Sequence, residues 1–379
     1  MQNRMGAEHG SRVNNLLGQL HQLVRHSKYK MTQKYSIFLP VLGFFLLLLA
    51  ACEEDFEPPT IPGNRPDIVI DAYVEAYGGD LSPDDVGIVA RPAYVVLTRS
   101  IPFGDSFNSD NFDDLFVHDA KVSISTVNDP RTIDLQEICL SSTQDSVLRA
   151  QIIGLTGLNS ADFTQLGIDF NETDFCFYID FGATAFEIGE TFNLSIEVEE
   201  RTFTATTTTP PIVPLSDIQF RLPPGDSAFF SQSRLRQMAV RASPPDSIDT
   251  FFRYFTQRND DPMYKGNASI SGFRSVLQGR VFGNGEEFIA LPRGQARDST
   301  FEVGGNRFGN YRTNDDYLVK WCTIDEAHFD YWNSTEFNAL NQGFFSTYTQ
   351  PQFNIEGEGA IGIFGGYSVA FYAGKVPRN

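Results

Sequence analysis

The 379-residue sequence predicts a mainly β protein: two antiparallel β-sandwich domains, the first immunoglobulin-like, with one or two short helices in the second. Three observations predict it. Apolar and polar residues alternate with period two along much of the chain, the pattern of a half-buried strand. Short strand-like runs recur between turn signals, as they do in a sandwich. One helix signal stands apart, near residues 323–342.

The elements follow in order. In "DIVIDAYVEA" the residues Ile68, Ile70, Ala72 and Val74 share one face, with Val69, Asp71, Tyr73 and Glu75 on the other. "AYVVLTRS" and "AKVSISTV" are strand-like. "TFNLSIEVEERTFTATTTTPP" is the clearest hairpin: Phe192, Leu194, Ile196 and Val198 alternate, a turn falls near 199–201, and a threonine-rich strand returns. Threonine suits it because branching at Cβ packs well on a pleated surface. Pro210 and Pro211 remove two backbone donors and force an extended exit, so a domain boundary is expected there, between 67–211 and 212–379. Within 155–175 a short helix capped by Ser160 is expected. "DTFFRYFTQ" is apolar on both faces and fits a central strand covered on both sides. Thr323 and Glu326 have capping-box spacing, with Ile324, Ala327, His328 and Tyr331 following on one face. Asn333 and Glu336 repeat the signal, and Gly343 ends it.

The amino-terminal 66 residues are of another kind. The apolar run at 37–51 is shorter than the roughly 20 residues a membrane-crossing helix needs, and it contains Pro40 and Gly43. It matches the apolar region of a secretory signal, preceded by Lys28, Lys30 and Lys34. The signal is most economical from Met31, which makes 1–30 an upstream extension or a misplaced start; 1–51 together are extension and signal. Leu49-Ala50-Ala51-Cys52 resembles a bacterial lipobox, which implies cleavage before Cys52 and triacylation of that residue, with palmitate among the chains. Glu53, Glu54 and Asp55 resemble the acidic export signal of surface lipoproteins, against the plainer reading of a solvated tether. Residues 52–66, with Pro58, Pro59, Pro62 and Pro66, are expected to be a lipidated, semi-extended spacer.

Composition and charge exclude several function classes. Residues 1–51 hold six of the 29 basic residues and one of the 48 acids, so the mature chain keeps 23 and 47, a net charge of −24. Such a chain repels nucleic acid and anionic headgroups alike. Only His118 and His328 remain after cleavage, and neither has a G-x-S-x-G partner or an H-E-x-x-H setting. Gly357, Gly359 and Gly362 match G-x-G-x-x-G but lead into a strand, which is the wrong context for a dinucleotide site; close backbone packing explains them better. No cofactor is expected. Asp110, Asp113 and Asp114 are candidates for calcium through oxygen ligands, yet they lack EF-hand spacing, and a solvated loop is the stronger reading. Cys139 and Cys176 fall in one half and could pair, leaving Cys322; no spacing rule fixes this, and zinc is not suggested. Asp145-Ser146-Val147, Asp226-Ser227-Ala228 and Asp246-Ser247-Ile248 resemble O-glycosylation sites. Tyr331, Trp332, Phe344 and Tyr348 are candidate ligand-stacking rings, weighed against core packing.

The carboxy-terminal segment carries a family resemblance. "CTIDEAHFDYWNSTEF" followed by "EGEGAIGIFGGYSVAFY" resembles the end of the Bacteroidota outer-membrane lipoprotein family known as domain of unknown function 4249. That family has Tyr-Trp or Tyr-Tyr on a helix before a closing Gly-Ile-Phe-Gly-x-Tyr-Ser strand; here these are Tyr331, Trp332 and the run from Gly362 to Ser368. "IVIDAYV", "YVVLTRSIPF", "VHDAKVSI" and "TFTATTTTPP" fit as well, so the resemblance covers 52–379, and the insertion around 155–175 departs from it. The resemblance implies a lipid-anchored protein on the outer face of the outer membrane, encoded beside TonB-dependent transporters, with no catalytic residues to carry over. The expectation is a non-enzymatic accessory, a capture or docking subunit of such a barrel. A freestanding glycan-binding or adhesion module and a hydrolase of surface polymers are the alternatives; the ligand stays open.

Overall fold

The computed structural model describes residues 67–378 apart from 89, 101–111, 129–130, 141–174, 183, 224–233, 248, 267–274, 295–308 and 341–350. Alternation converts directly into strands: β1 (Ile68–Tyr77), β2 (Tyr94–Arg99), β3 (Lys121–Thr126), β4 (Thr132–Cys139), β5 (Cys176–Ile179), β6 (Thr191–Val198) and β7 (Arg201–Thr208). Glu199 and Glu200 both take positive φ, 52° and 62°, which makes β6–β7 a two-residue hairpin whose turn matches the twist of its strands. Next come β8 (Leu215–Arg221), β9 (Leu235–Ala242), β10 (Phe251–Arg258) and the short β11 (Tyr264–Lys265), β12 (Val276–Gln278), β13 (Ile289–Ala290) and β14 (Tyr311–Arg312). β15 (Asp316–Ile324) runs into helix α1 (Glu326–Leu340), and β16 (Ile355–Glu356) and the long β17 (Ala360–Lys375) close the chain.

The fold is mainly β, as the sequence leads one to expect, in two sheets. The larger runs β11-β10-β15-β17-β1-β2-β5-β4-β3-β6-β7-β16, with β12 also on β10; the smaller is β13-β9-β14, with β8 on β9. Ile68, Ile70, Ala72 and Val74 of β1 face Phe192, Leu194 and Ile196 of β6 across one buried core, which gives the first half its sandwich character. The small sheet packs Met238 and Val240 against Phe252, Tyr254, Val319 and Trp321 in a second core. A third lies on the opposite face of β10, β15 and β17, under α1. β10 is therefore covered on both sides, as its doubly apolar sequence requires.

Arg65–Asn379 form one compact unit, and the two expected halves share a sheet. β7 stops before Pro210 and Pro211, but the chain beyond them stays bound to the body. The Val213 amide donates to Thr323 Oγ1 at 3.0 Å, and Trp321 Nε1 donates to the Val213 carbonyl at 3.0 Å. β17 then returns to the first half and pairs in parallel with β1, Ile68 opposite Ala360 through Tyr77 opposite Val369. Its far end pairs antiparallel with β15. The prolines end β7 and the chain passes to β8 of the smaller sheet, but β10, β15 and β17 bring it back into the larger one. Gly362 permits the β1 pairing, since a Cβ there would stand 1.9 Å from the Ile70 carbonyl oxygen.

The helix also begins differently from expectation. Thr323 is the penultimate residue of β15, so its hydroxyl serves Val213 and not a helix end. Asp325 caps α1 instead, accepting from the His328 amide at 2.8 Å and from Thr207 Oγ1 at 2.9 Å. α1 continues unbroken past Asn333, so no second helix starts there.

Candidate functional site

The face of β1 that alternation assigns to solvent is buried. Glu75 is 2 % exposed and Tyr73 4 %. Glu75 on β1 and Lys320 on β15 flank β17 in one sheet, and Lys320 Nζ meets Glu75 Oε1 at 2.5 Å; Arg91 Nη1 stands 3.6 Å from the same oxygen. Tyr77 OH donates to Oε2 at 2.6 Å and accepts from the Arg91 amide at 2.7 Å. Burial pushes the Glu75 carboxyl up, but Lys320 and Arg91 outweigh it and hold the group below its ordinary value. Burial lowers Lys320, and the Arg91 charge adds to it, against the pull of Glu75. Glu75 is thus firmly ionised, and of its two cations Lys320 is the one whose charged form burial disfavours.

A second buried group sits beside the first. Arg253, in the centre of β10, donates from Nη1 to Tyr367 OH at 2.6 Å and from Nε to Ser275 Oγ at 3.3 Å. Glu336 of α1 accepts from the Ser275 amide at 2.7 Å and its hydroxyl at 2.5 Å. Arg253 and Lys265 each approach Glu336 Oε1 at 3.8 Å. The Arg253 guanidinium lies over the Trp332 ring, 3.6 Å from its centroid, so one face of that indole is already covered. Tyr331 meets Trp332 edge-on at 5.2 Å.

Near these groups several buried polar atoms make no well-formed hydrogen bond among the described residues: Asp71 Oδ1, Tyr73 OH, both ring nitrogens of His328 and Trp332 Nε1, although Tyr73 faces Asp71 and the Gly366 backbone faces His328. His328 is fully buried, its ring 4.5 Å from that of Tyr367. Burial, reinforced by Arg253, drives its pKa well below the ordinary 6.5, so the imidazole is neutral. The ring fits because Gly365 lacks a Cβ, which would stand 2.6 Å from it. Burial raises the Asp71 carboxyl against the pull of Tyr73 and Arg253. Two acids carry the ion pairs of this layer: Glu75 with Lys320 and Arg91, and Glu336 with Arg253 and, at its edge, Lys265. Glu336 is the α1 residue in these ion pairs, and it ties the helix to β10 and β11. The chemistry they support is positioning.

An open cavity of about 390 Å³ lies next to this layer, lined by Val276, Gln278, Arg280, Leu291, Phe329 and Asn333 among others. Among the described residues its lining carries one cation, Arg280, and no acid.

The sequence-derived site residues fall as follows. Cys52, Glu53, Glu54, Asp55, Asp110, Phe344, Tyr348 and the Ser160 helix lie outside the described residues. Asp113 and Asp114 are exposed on a single 3-10 turn, Asp113–Leu115. Tyr331 and Trp332 are half-buried between α1 and the sheet. Cys139 and Cys176 face each other across β4 and β5 in a disulfide, with Cα atoms 4.1 Å apart. His118, set aside in the sequence, pairs with Glu137: Nδ1 to Oε1 is 2.5 Å. Cys322 is a buried free thiol, pushed up to about 12 by burial. Sequence reasoning missed the Glu75, Lys320, Arg253 and Glu336 layer. The available signal was a single cation inside each of two otherwise apolar strands, "FFRYF" and "YLVKWC".

A family model described as Domain of unknown function (DUF4249) matches residues 53–372, and the chain belongs to that family. No curated protein matches it.

Proposed function

We propose that this family member is a triacylated lipoprotein of the outer membrane, facing the cell exterior, and that it works as a non-enzymatic accessory of a TonB-dependent transporter, as a capture or docking subunit. The observation that carries the reading is the order of features ahead of the β body. Basic residues precede a 15-residue apolar run; Leu49-Ala50-Ala51-Cys52 follows, then Glu53-Glu54-Asp55, then four prolines. One myristoyl-length chain anchors only marginally, while two or more hold a protein firmly, so a triacylated Cys52 is a lasting tether. With a net charge of −24 beyond residue 51, the body is repelled by anionic headgroups, and the lipid is its hold on the membrane.

The buried layer suits a docking role. A body whose ion pairs are satisfied internally presents a fixed surface, and fixed surfaces bind with less ordering cost. Exposed Val127 and Phe181, 55 % and 54 % accessible, are apolar points on that surface. A photo-crosslinking residue at either position on intact cells should capture one barrel species. Capture of no protein from either position would contradict the docking reading.

A further inference from the structure

We propose that His118, Glu137, Cys139 and Cys176 form a redox-gated metal site, closed while the disulfide stands and open to a thiophilic divalent cation such as Zn²⁺ once it is reduced. One ligating atom from each of the four lies within 4.8 Å of the other three. The edges of a tetrahedron around zinc with sulfur and nitrogen ligands measure roughly 3.3–3.8 Å, so closure needs shifts of about 1 Å. β4 and β5 create the arrangement. Cys139 and Cys176 are directly opposite in the ladder, and Glu137, two residues earlier on β4, shares the face of Cys139. The Cys139 sulfur is 3.8 Å from Glu137 Oε1.

The fourth ligand comes from the turn before β3, and that turn is held. Tyr178 OH donates to the Val117 carbonyl at 2.9 Å and accepts from the Ala120 amide at 3.0 Å. The Asp119 amide donates to Glu137 Oε2 at 3.0 Å, and Asp119 itself takes a left-handed φ of 58°. His118 is therefore fixed from both sides with Nδ1 against the carboxylate. His118 is exposed and Glu137 and Cys139 are half-buried, so an ion can enter from solvent. Two thiolates, an imidazole and one carboxylate make a donor set for zinc, not for calcium or magnesium. With the disulfide closed only two donors remain.

The chemistry balances with a thiol or phosphine reductant. The reductant gives two electrons, the Sγ–Sγ bond breaks, and two protons complete two thiols. Metal binding then releases both thiol protons to solvent and forms two metal–sulfur bonds; the proton that His118 Nδ1 presents to Glu137 Oε1 moves to Nε2 or to solvent, and Nδ1 ligates. Cys322 does not compete, being buried and protonated.

The test uses the full chain carrying Cys52→Ser, titrated with Co²⁺ as a spectroscopic probe and with Zn²⁺ against a chromophoric chelator, before and after reduction. The reduced chain should take one Co²⁺ with a thiolate charge-transfer band, about 100-fold tighter than the oxidised chain. His118→Ala and Glu137→Gln should each weaken it by about tenfold or more. Equal affinity before and after reduction overturns the proposal, as does full affinity in both variants. Circular dichroism accompanies each titration; a reduced chain that loses its β signal and does not regain it with Zn²⁺ also overturns it.

Discussion

Replacing Glu75 by glutamine removes one charge from a place where Lys320 lies 2.5 Å away and Arg91 3.6 Å. Lys320 is then left buried without its carboxylate, and the expected loss is about 3 kcal/mol in urea unfolding. The double variant Glu75→Leu with Lys320→Met should lose less than the sum of the single changes, because neither partner of the closest pair is then buried without the other. His328 gives a pH dependence. Its folded pKa is depressed below 6.5, so the unfolded chain binds a proton that the folded one refuses. Its contribution is complete above pH 6.5 and falls away as pH drops below it, by up to about 1.4 kcal/mol per unit. Denaturation midpoints between pH 7.5 and 5.5 should show this slope, and His328→Asn should flatten it. None of this layer was legible as a site. Asp71, Tyr73 and Glu75 alternate with apolar residues, which is the pattern of a solvent-facing side; only tertiary cover, His328 of α1 over Tyr73 for one, makes it an interior.

At the scale of elements, α1 and β17 depend on single positions. Asp325→Ala removes the side-chain cap of α1 and should cost about 1 kcal/mol, read as a lower thermal midpoint. Gly362→Val places a side chain where a Cβ already stands 1.9 Å from the Ile70 carbonyl oxygen. It should break the β1–β17 pairing and leave the chain largely insoluble, and soluble, native-like protein would contradict this register. Strands were readable because period two is a local property, and the Glu199–Glu200 hairpin declared itself through its flanking alternation. The capping residue was misplaced by two positions because Thr323 and Asp325 are both competent caps. Only the extent of β15, set by pairing with β10 and β17, chooses between them. The parallel pairing of β1 with β17 joins the two ends of the described chain, and no local pattern announces such a contact.

For the whole molecule, the account holds that a lipid tether at Cys52 keeps a rigid β body beside a transporter barrel. Cys52→Ser should move the protein from the membrane fraction to the soluble fraction while leaving the fold of Arg65–Asn379 intact. The most direct test is purification of the tagged, lipidated chain from its own cells in mild detergent, with mass spectrometry of what accompanies it. The account predicts one TonB-dependent barrel at near-equal amount. Recovery of the lipidated chain alone would contradict it and turn attention to direct glycan binding or hydrolysis by the isolated protein.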